Sequence, residues 1–288
     1  MGNILTKQFY RQRKDFEDSC AGRDSVLTFP EGVRCSTDIA YADDGIKAHV
    51  LDIYRPEDSQ EKILPVIINV HGGGLIIGNK EFNRYFCALL CKKGFLVYSI
   101  EYRLIPDCLI YDQIADVFMA MDYIKERLAA DGGDSSHVYM AGDSGGACLI
   151  TYANAIQNST NIARAANVTP SGLRINALGL ISGMFYTSRF DKIGLFLPKY
   201  LYGRDYKKTS FAKYVNPENR ELLNSLAPVW LVTSHNDFLR RYTTDFEKAL
   251  TRAEREHELV IFPKNKKLTH AFSVFEPFMP ELSLIHIS

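Results

Sequence analysis

The 288-residue chain has a single tryptophan, no C-x-x-C pair among its six cysteines, no excess of either charge, and no apolar run of 18 residues. Each shortage closes off a class. Cys20, Cys35, Cys87, Cys91, Cys108 and Cys148 show no spacing typical of a zinc site. They read as reduced packing residues, which implies a cytoplasmic protein. Cys87 and Cys91 fall at i, i+4 on a predicted helix, where a shared apolar face is expected. Lys+Arg and Asp+Glu balance at 34 each, which argues against nucleic acid or an acidic membrane surface as the main partner. The lack of a long apolar run argues against stable membrane insertion. The lack of a charged-then-apolar leader argues against export, so the sequons at Asn158 and Asn167 carry no weight. The start Met1-Gly2-Asn3-Ile4-Leu5-Thr6 fits an N-acylation pattern, a short match of a kind that arises by chance.

What is present is a globular chain, 46% apolar, long enough for one main domain with an insertion or cap. Residues 1–30 are polar and basic with scattered aromatics, and read as short helices outside the core. From Val33 to about Pro56 the pattern is extended, and Asp38–Tyr41 and Ala48–Tyr54 flank a Gly45 turn as an antiparallel pair. Leu64–Val70 is a β-branched run of the sort buried on both faces of a sheet. A helix over Arg84–Lys92, a strand over Gly94–Ile100, and helical spacing from Ile114 to Leu128 follow. Further strands are predicted over 178–181, 228–233 and 258–262, a helix over 243–255, and an irregular stretch from Phe185 to about Leu226. Strand-helix alternation of this kind means a mainly parallel sheet with right-handed crossovers and helices on both faces.

Two glycine motifs stand at strand ends. Val138-Tyr139-Met140-Ala141 reads as a buried strand, Gly142-Asp143-Ser144-Gly145-Gly146 as a sharp turn, and Ala147 onward as a helix. This is the G-x-S-x-G arrangement, in which flanking glycines let a serine stand out at the apex beside a helix N-terminus. The string Gly-Asp-Ser-Gly-Gly also surrounds the nucleophile of all-β serine proteases. Those run His, Asp, Ser, whereas here a helix follows the serine and the candidate partners lie downstream. The second motif, His71-Gly72-Gly73-Gly74, leaves strand 64–70. Consecutive glycines allow backbone N–H groups to point into a cleft, as an oxyanion hole requires. A phosphate loop is the alternative, but the G-x-x-x-x-G-K-[ST] spacing is missing.

With these motifs, with Tyr102-Arg103-Leu104-Ile105-Pro106-Asp107, and with an acid and a histidine downstream, residues 33 to 280 resemble the hormone-sensitive-lipase-like carboxylesterases of the α/β-hydrolase fold. The resemblance implies a mainly parallel eight-stranded sheet flanked by helices, with a small helical cap. The cap would comprise residues 1–32 and 185–225, over a core of 33–184 and 226–288. It implies Ser144 as nucleophile, His270 as base and Asp237 as orienting acid, in the order Ser, Asp, His. Gly73, Gly74 and Gly145 would be the oxyanion donors, with His71, Gly72, Gly142, Asp143 and Gly146 shaping the motifs. His235, His257 and His286, and the neighbouring Asp245, are read as ordinary polar residues. No cofactor or metal is implied. The expected partner is a small-molecule ester, with the protein a monomer or homodimer. Phe238 stands where the family often has proline, and Gly145 where it often has alanine.

Residues 185–214 hold nine aromatics, suited to an acyl chain or aryl alcohol, or to packing the cap itself. Short-chain or aryl esters are the expected substrates. An amidase or peptidase of the same fold and a non-catalytic ligand-binding member are the competing readings. Only 18 residues follow His270, so, set against the family it resembles, the chain is expected to lack the final helix, which would expose an apolar face of the sheet.

Overall fold

The structure, a computed structural model, describes residues 2–59 and 62–282. It opens with α1 (Gly2–Asp24), followed by β1 (Val33–Ala40) and β2 (Val50–Pro56), antiparallel to each other. Next come β3 (Leu64–Val70), α2 (Arg84–Lys92), β4 (Leu96–Ile100), α3 (Ile110–Arg127), β5 (Gly133–Asp143), α4 (Ser144–Asn158), α5 (Thr160–Ala166) and β6 (Ala177–Ile181). The segment after β6 carries three short helices, α6 (Lys192–Phe196), α7 (Pro198–Leu201) and α8 (Arg220–Asn224). Then follow β7 (Val229–Ser234), α9 (Arg240–Arg252), β8 (His257–Phe262) and α10 (Phe272–Phe275). Residues Ser283–Ser288, including His286, lie outside the described residues.

All eight strands join one sheet in the order β1-β2-β4-β3-β5-β6-β7-β8. The six from β4 to β8 run parallel, and β2 is antiparallel to both β1 and β4. The β3 run is buried on both faces because its period-2 alternation feeds two cores. Val66, Ile68 and Val70 belong to the same buried cluster as residues of α3, α4 and α9, whereas Ile67 packs with Cys87, Ala88 and Cys91 of α2. Cys87 and Cys91 thus share a buried apolar face, as their spacing predicts. A third cluster gathers Phe272 and Val274 of α10 over Ile181, Val232 and Phe262.

Several elements differ from the sequence expectation: α5 and α10 were not expected, and β5 and α4 meet at Asp143–Ser144 where a turn over 142–146 was read. Residues 2–24 form one helix of 23 residues rather than several short ones. The stretch 185–226, expected to be irregular, contains α6, α7 and α8 and two 3₁₀ turns. No described helix is long and apolar enough to cross a membrane.

Candidate active site

A parallel sheet gathers its site at the carboxyl ends of the strands, where the βα loops meet. Here those ends carry His71 after β3, Ser144 after β5, Asp237 after β7 and His270 after β8. Ser144 sits between strand and helix at φ 48°, in the left-handed region that an L-residue enters only at a cost of about 1–3 kcal/mol. The turn is held because its neighbours have no side chains to obstruct it. A Cβ on Gly146 would run into the carbonyls of Val70 and His71, and one on Gly145 would come within 2.8 Å of the Leu75 nitrogen and 3.0 Å of the Gly74 nitrogen. The two glycine motifs are therefore packed against each other, backbone on backbone.

The loop after β3 belongs to neither sheet nor helix and is held by backbone contacts and by side chains. Gly73 takes φ +100° so that its carbonyl can accept the N–H groups of Ile76 and Ile77. Asp143, buried beside Ser144, accepts the Gly72 N–H at 3.0 Å and an Asn83 side-chain N–H at 2.9 Å. Burial pushes the Asp143 carboxyl above its usual range, against the pull of Asn83 and of nearby His71 and His270. On the outer side, the His71 ring is stacked on Tyr102 at 4.4 Å, and the Tyr102 hydroxyl donates to the His71 carbonyl at 2.8 Å. His71 Nδ1 lies 2.8 Å from the Gly72 carbonyl, and Nε2 lies 3.2 Å from Glu101. Burial opposes a charged His71, yet Glu101 and the Gly72 carbonyl outweigh it and raise the imidazole pKa. The loop is held further by Gln113, donating to the Leu75 carbonyl, and by Arg13 of α1, donating to the Ile76 carbonyl at 2.7 Å. The Tyr102–Asp107 motif thus has a structural meaning: Tyr102 braces the glycine loop, Arg103 pairs with buried Asp116, and Asp107 receives Arg13.

Asp237 Oδ1 lies 2.8 Å from His270 Nδ1 and accepts the Leu239 N–H at 2.7 Å, while Oδ2 accepts the Thr233 hydroxyl at 3.0 Å. Burial would raise the Asp237 pKa, but His270, Ser182 and the Leu239 N–H lower it overall, so the carboxylate stays ionised at neutral pH. With Nδ1–H donated to Asp237, the imidazole's Nε2 is its acceptor nitrogen. The Phe238 ring, 73% exposed, lies 4.3 Å from the His270 ring.

Ser144, Gly73, Gly74 and His270 line one cavity of 360 Å³. Its remaining walls are apolar: Phe16 of α1, Ile76, Ile77, Phe82, Met184, Ile193 and Leu197 from α6 and beyond, Phe238, Leu239 and Phe275. The other candidates lie elsewhere. His235 pairs with Arg240, His257 contacts Thr251 and the Arg255 carbonyl, and Asp245 is paired with Arg189. Thr233, Ser182, Asn83, Glu101, Arg13 and Phe16 were not readable as site residues, since they reach the site from five separate parts of the chain and none belongs to a short motif.

The sequence pattern of the alpha/beta hydrolase fold matches residues 67–273. The chain belongs to this family. Among curated relatives, a probable isoprenylcysteine alpha-carbonyl methylesterase of Oryza sativa subsp. japonica is 29% identical over 184 residues, 60% of this chain and 44% of that protein. A tuliposide A-converting enzyme of Tulipa gesneriana is 30% identical over 131 residues, 41% of this chain and 35% of that one. The chain thus spans less than half the length of these relatives. Among solved structures, esterase B of Lactobacillus rhamnosis superposes with a TM-score of 0.92 at 22% identity, covering 100% of this chain and 94% of that one. A bacterial heroin esterase follows at 0.72 and 22%, covering 97% and 89%. These likenesses establish the α/β-hydrolase architecture: eight strands, mainly parallel, with helices on both faces.

Proposed function

We propose that this α/β-hydrolase is a serine carboxylesterase that cleaves short-chain acyl or aryl esters through an acyl-enzyme. The observation that carries this reading is the Asp237–His270 hydrogen bond of 2.8 Å in loops whose histidine shares a cavity with Ser144, Gly73 and Gly74. His270 Nε2 takes the proton of Ser144 as Oγ bonds to the ester carbonyl carbon, and the carbonyl π electrons move onto oxygen. The N–H groups of Gly73, Gly74 and Gly145 stabilise that oxyanion, each donor contributing about 3–4 kcal/mol. Collapse of the tetrahedral species breaks the bond to the alkoxy oxygen, which leaves with the proton from His270. Water, deprotonated by the same nitrogen, then attacks the acyl-enzyme and releases the acid. Asp237 fixes the tautomer and balances the imidazolium.

The cavity supports the substrate class. None of its lining residues is Lys, Arg, Asp or Glu, and its volume of 360 Å³ is at the small end of the roughly 300–1,000 Å³ typical of small-molecule sites. Residues 1–32 and 185–225 act as the cap, contributing Phe16, Ile193 and Leu197 as walls. The names of the relatives, a methylesterase and an esterase among them, agree with ester cleavage. The test is turnover of p-nitrophenyl esters of increasing acyl length. Butyrate and shorter are expected to be fastest, and Ser144→Ala is expected to lower kcat by about 10⁴–10⁶ and to abolish fluorophosphonate labelling. Undiminished turnover by Ser144→Ala would overturn the mechanism, and a preference for long acyl chains would overturn the substrate class.

A further inference from the structure

The formal charge of the whole chain is zero, but the charge is unevenly distributed. Residues 185–214 carry seven Lys or Arg against two Asp, Arg189 and Lys213 being paired with Asp245 and Glu221 outside the segment, and residues 2–14 carry four Lys or Arg ahead of Asp15, Glu17 and Asp18. Both acids of the first segment are engaged. Asp191 accepts the Ile193 and Gly194 N–H groups and the Tyr242 hydroxyl, and Asp205 pairs with Lys208 at 2.8 Å.

The same segment leaves large apolar side chains in water: Phe190 is 91% exposed, Phe196 59% and Leu195 55%. Helical spacing sorts these residues into two faces. Ile193 and Leu197, four apart, line the catalytic cavity. Lys192, Leu195, Phe196 and Lys199, three or four apart, face outward and are exposed. On α1, Phe9, Arg13 and Phe16 turn inward, onto Tyr200, the Ile76 carbonyl and the cavity. Lys7, Arg11 and Lys14, on the opposite face, are exposed beside Asp15 and Asp18, with Arg11 3.8 Å from Asp15. Phe9 joins the two patches, since its ring lies 5.2 Å from Tyr200, whose ring lies 5.1 Å from the Lys199 ammonium.

We infer that this outward face docks on an anionic lipid surface. Aromatic and aliphatic side chains bracketed by lysines match such a surface twice: the apolar groups enter the acyl boundary and the cations meet the headgroups. A bilayer core alone would not call for the lysines, and a neutral partner would not call for the charge excess. The face is the outer side of the walls that enclose the cavity, so a docked molecule holds its cavity close to the lipid. That last consequence rests on the proposed esterase reading, whereas the docking does not.

The experiment is vesicle flotation with purified full-length chain, using phosphatidylcholine vesicles with or without phosphatidylserine, at low and high salt. Binding is expected only with phosphatidylserine and is expected to fall as salt rises. Lys192→Ala/Lys199→Ala should weaken partitioning about 25-fold, at about five-fold per cation removed, and Phe190→Ser/Phe196→Ser should weaken it at least as much. None of these four side chains lines the cavity, so both variants should hydrolyse a dissolved short-chain ester at the wild-type rate, which also shows that they are folded. Equal binding to both vesicle types, no binding at low salt, or variants that bind like wild type would overturn the inference. So would sedimentation showing a wild-type dimer that Phe190→Ser/Phe196→Ser separates, since the face would then be an interface between copies.

Discussion

Asp143 shows how much one residue beside the nucleophile can do without touching the substrate. Its Oδ1 receives the Gly72 N–H and Asn83, while its Oδ2 is buried without a hydrogen-bond partner among the described residues. A Cβ on residue 72 would run into that same carboxylate, so glycine there and aspartate at 143 fit as a pair. The bond registers the first glycine of one motif against the residue that precedes Ser144 in the other, and so sets where the Gly73 and Gly74 donors stand relative to the serine. In Asp143→Asn the amide oxygen can keep one acceptor but loses the charge. A hydrogen bond to a charged group contributes about 1–1.5 kcal/mol more than a neutral one, so kcat should fall roughly 5- to 12-fold, with KM within about two-fold because the apolar walls are unchanged. A rise in KM at constant kcat would show that Asp143 serves binding instead. In the sequence this residue was legible only as the variable position of G-x-S-x-G, since the partner that defines its role lies 71 positions away.

At the scale of elements, the loop after β3 is a strip of backbone fastened by His71, Tyr102, Gln113 and Arg13. The His71 imidazole has a folded-state pKa raised above its ordinary value, burial opposing and Glu101 prevailing. The stabilisation it contributes is therefore fully present below the unfolded value of about 6.5, and is lost as pH rises through the folded value. Denaturant unfolding of wild type and His71→Gln should differ most near pH 6, with the difference shrinking toward pH 9. Parallel pH profiles for the two proteins would show that the charge on His71 does not brace the loop. Elements with strong periodicity were legible: β3 and α2 have the bounds predicted for them, and the glycine-flanked serine lies at a strand-to-helix junction. The N-terminal helix was not legible as one helix because its inward stripe is Phe9, Arg13 and Phe16, and an arginine at the centre breaks the apolar pattern. Arg13 turns inward because backbone carbonyls of Ile76 and Ile105 and the Asp107 carboxylate await it. Helices of four and five residues such as α7 and α6 are shorter than one full hydrophobic repeat, so periodicity could not reveal them.

The whole molecule divides its surfaces: a basic, aromatic face lies over the cavity, and an apolar groove of 310 Å³ opens on the sheet. Ile67, Phe86, Leu90, Leu178, Val232 and Trp230 are among the residues that line the groove. Among the described residues Trp230, 37% exposed, marks it. Trp230 is also the only tryptophan in the chain, which makes the groove directly observable. The native protein should bind an environment-sensitive dye such as anilinonaphthalene sulfonate, with energy transfer to the dye on selective tryptophan excitation. Labelling Ser144 with a fluorophosphonate blocks the other apolar cavity, so the dye signal that survives labelling belongs to the groove. Trp230→Phe should abolish the transfer while leaving directly excited dye fluorescence in place. If labelling Ser144 removes all dye fluorescence, the groove is closed in solution and the dye reports only the catalytic cavity. If the dye stays bright after labelling but shows no transfer from Trp230, its site lies elsewhere on the surface, the exposed Phe190 and Phe196 face being the first to test.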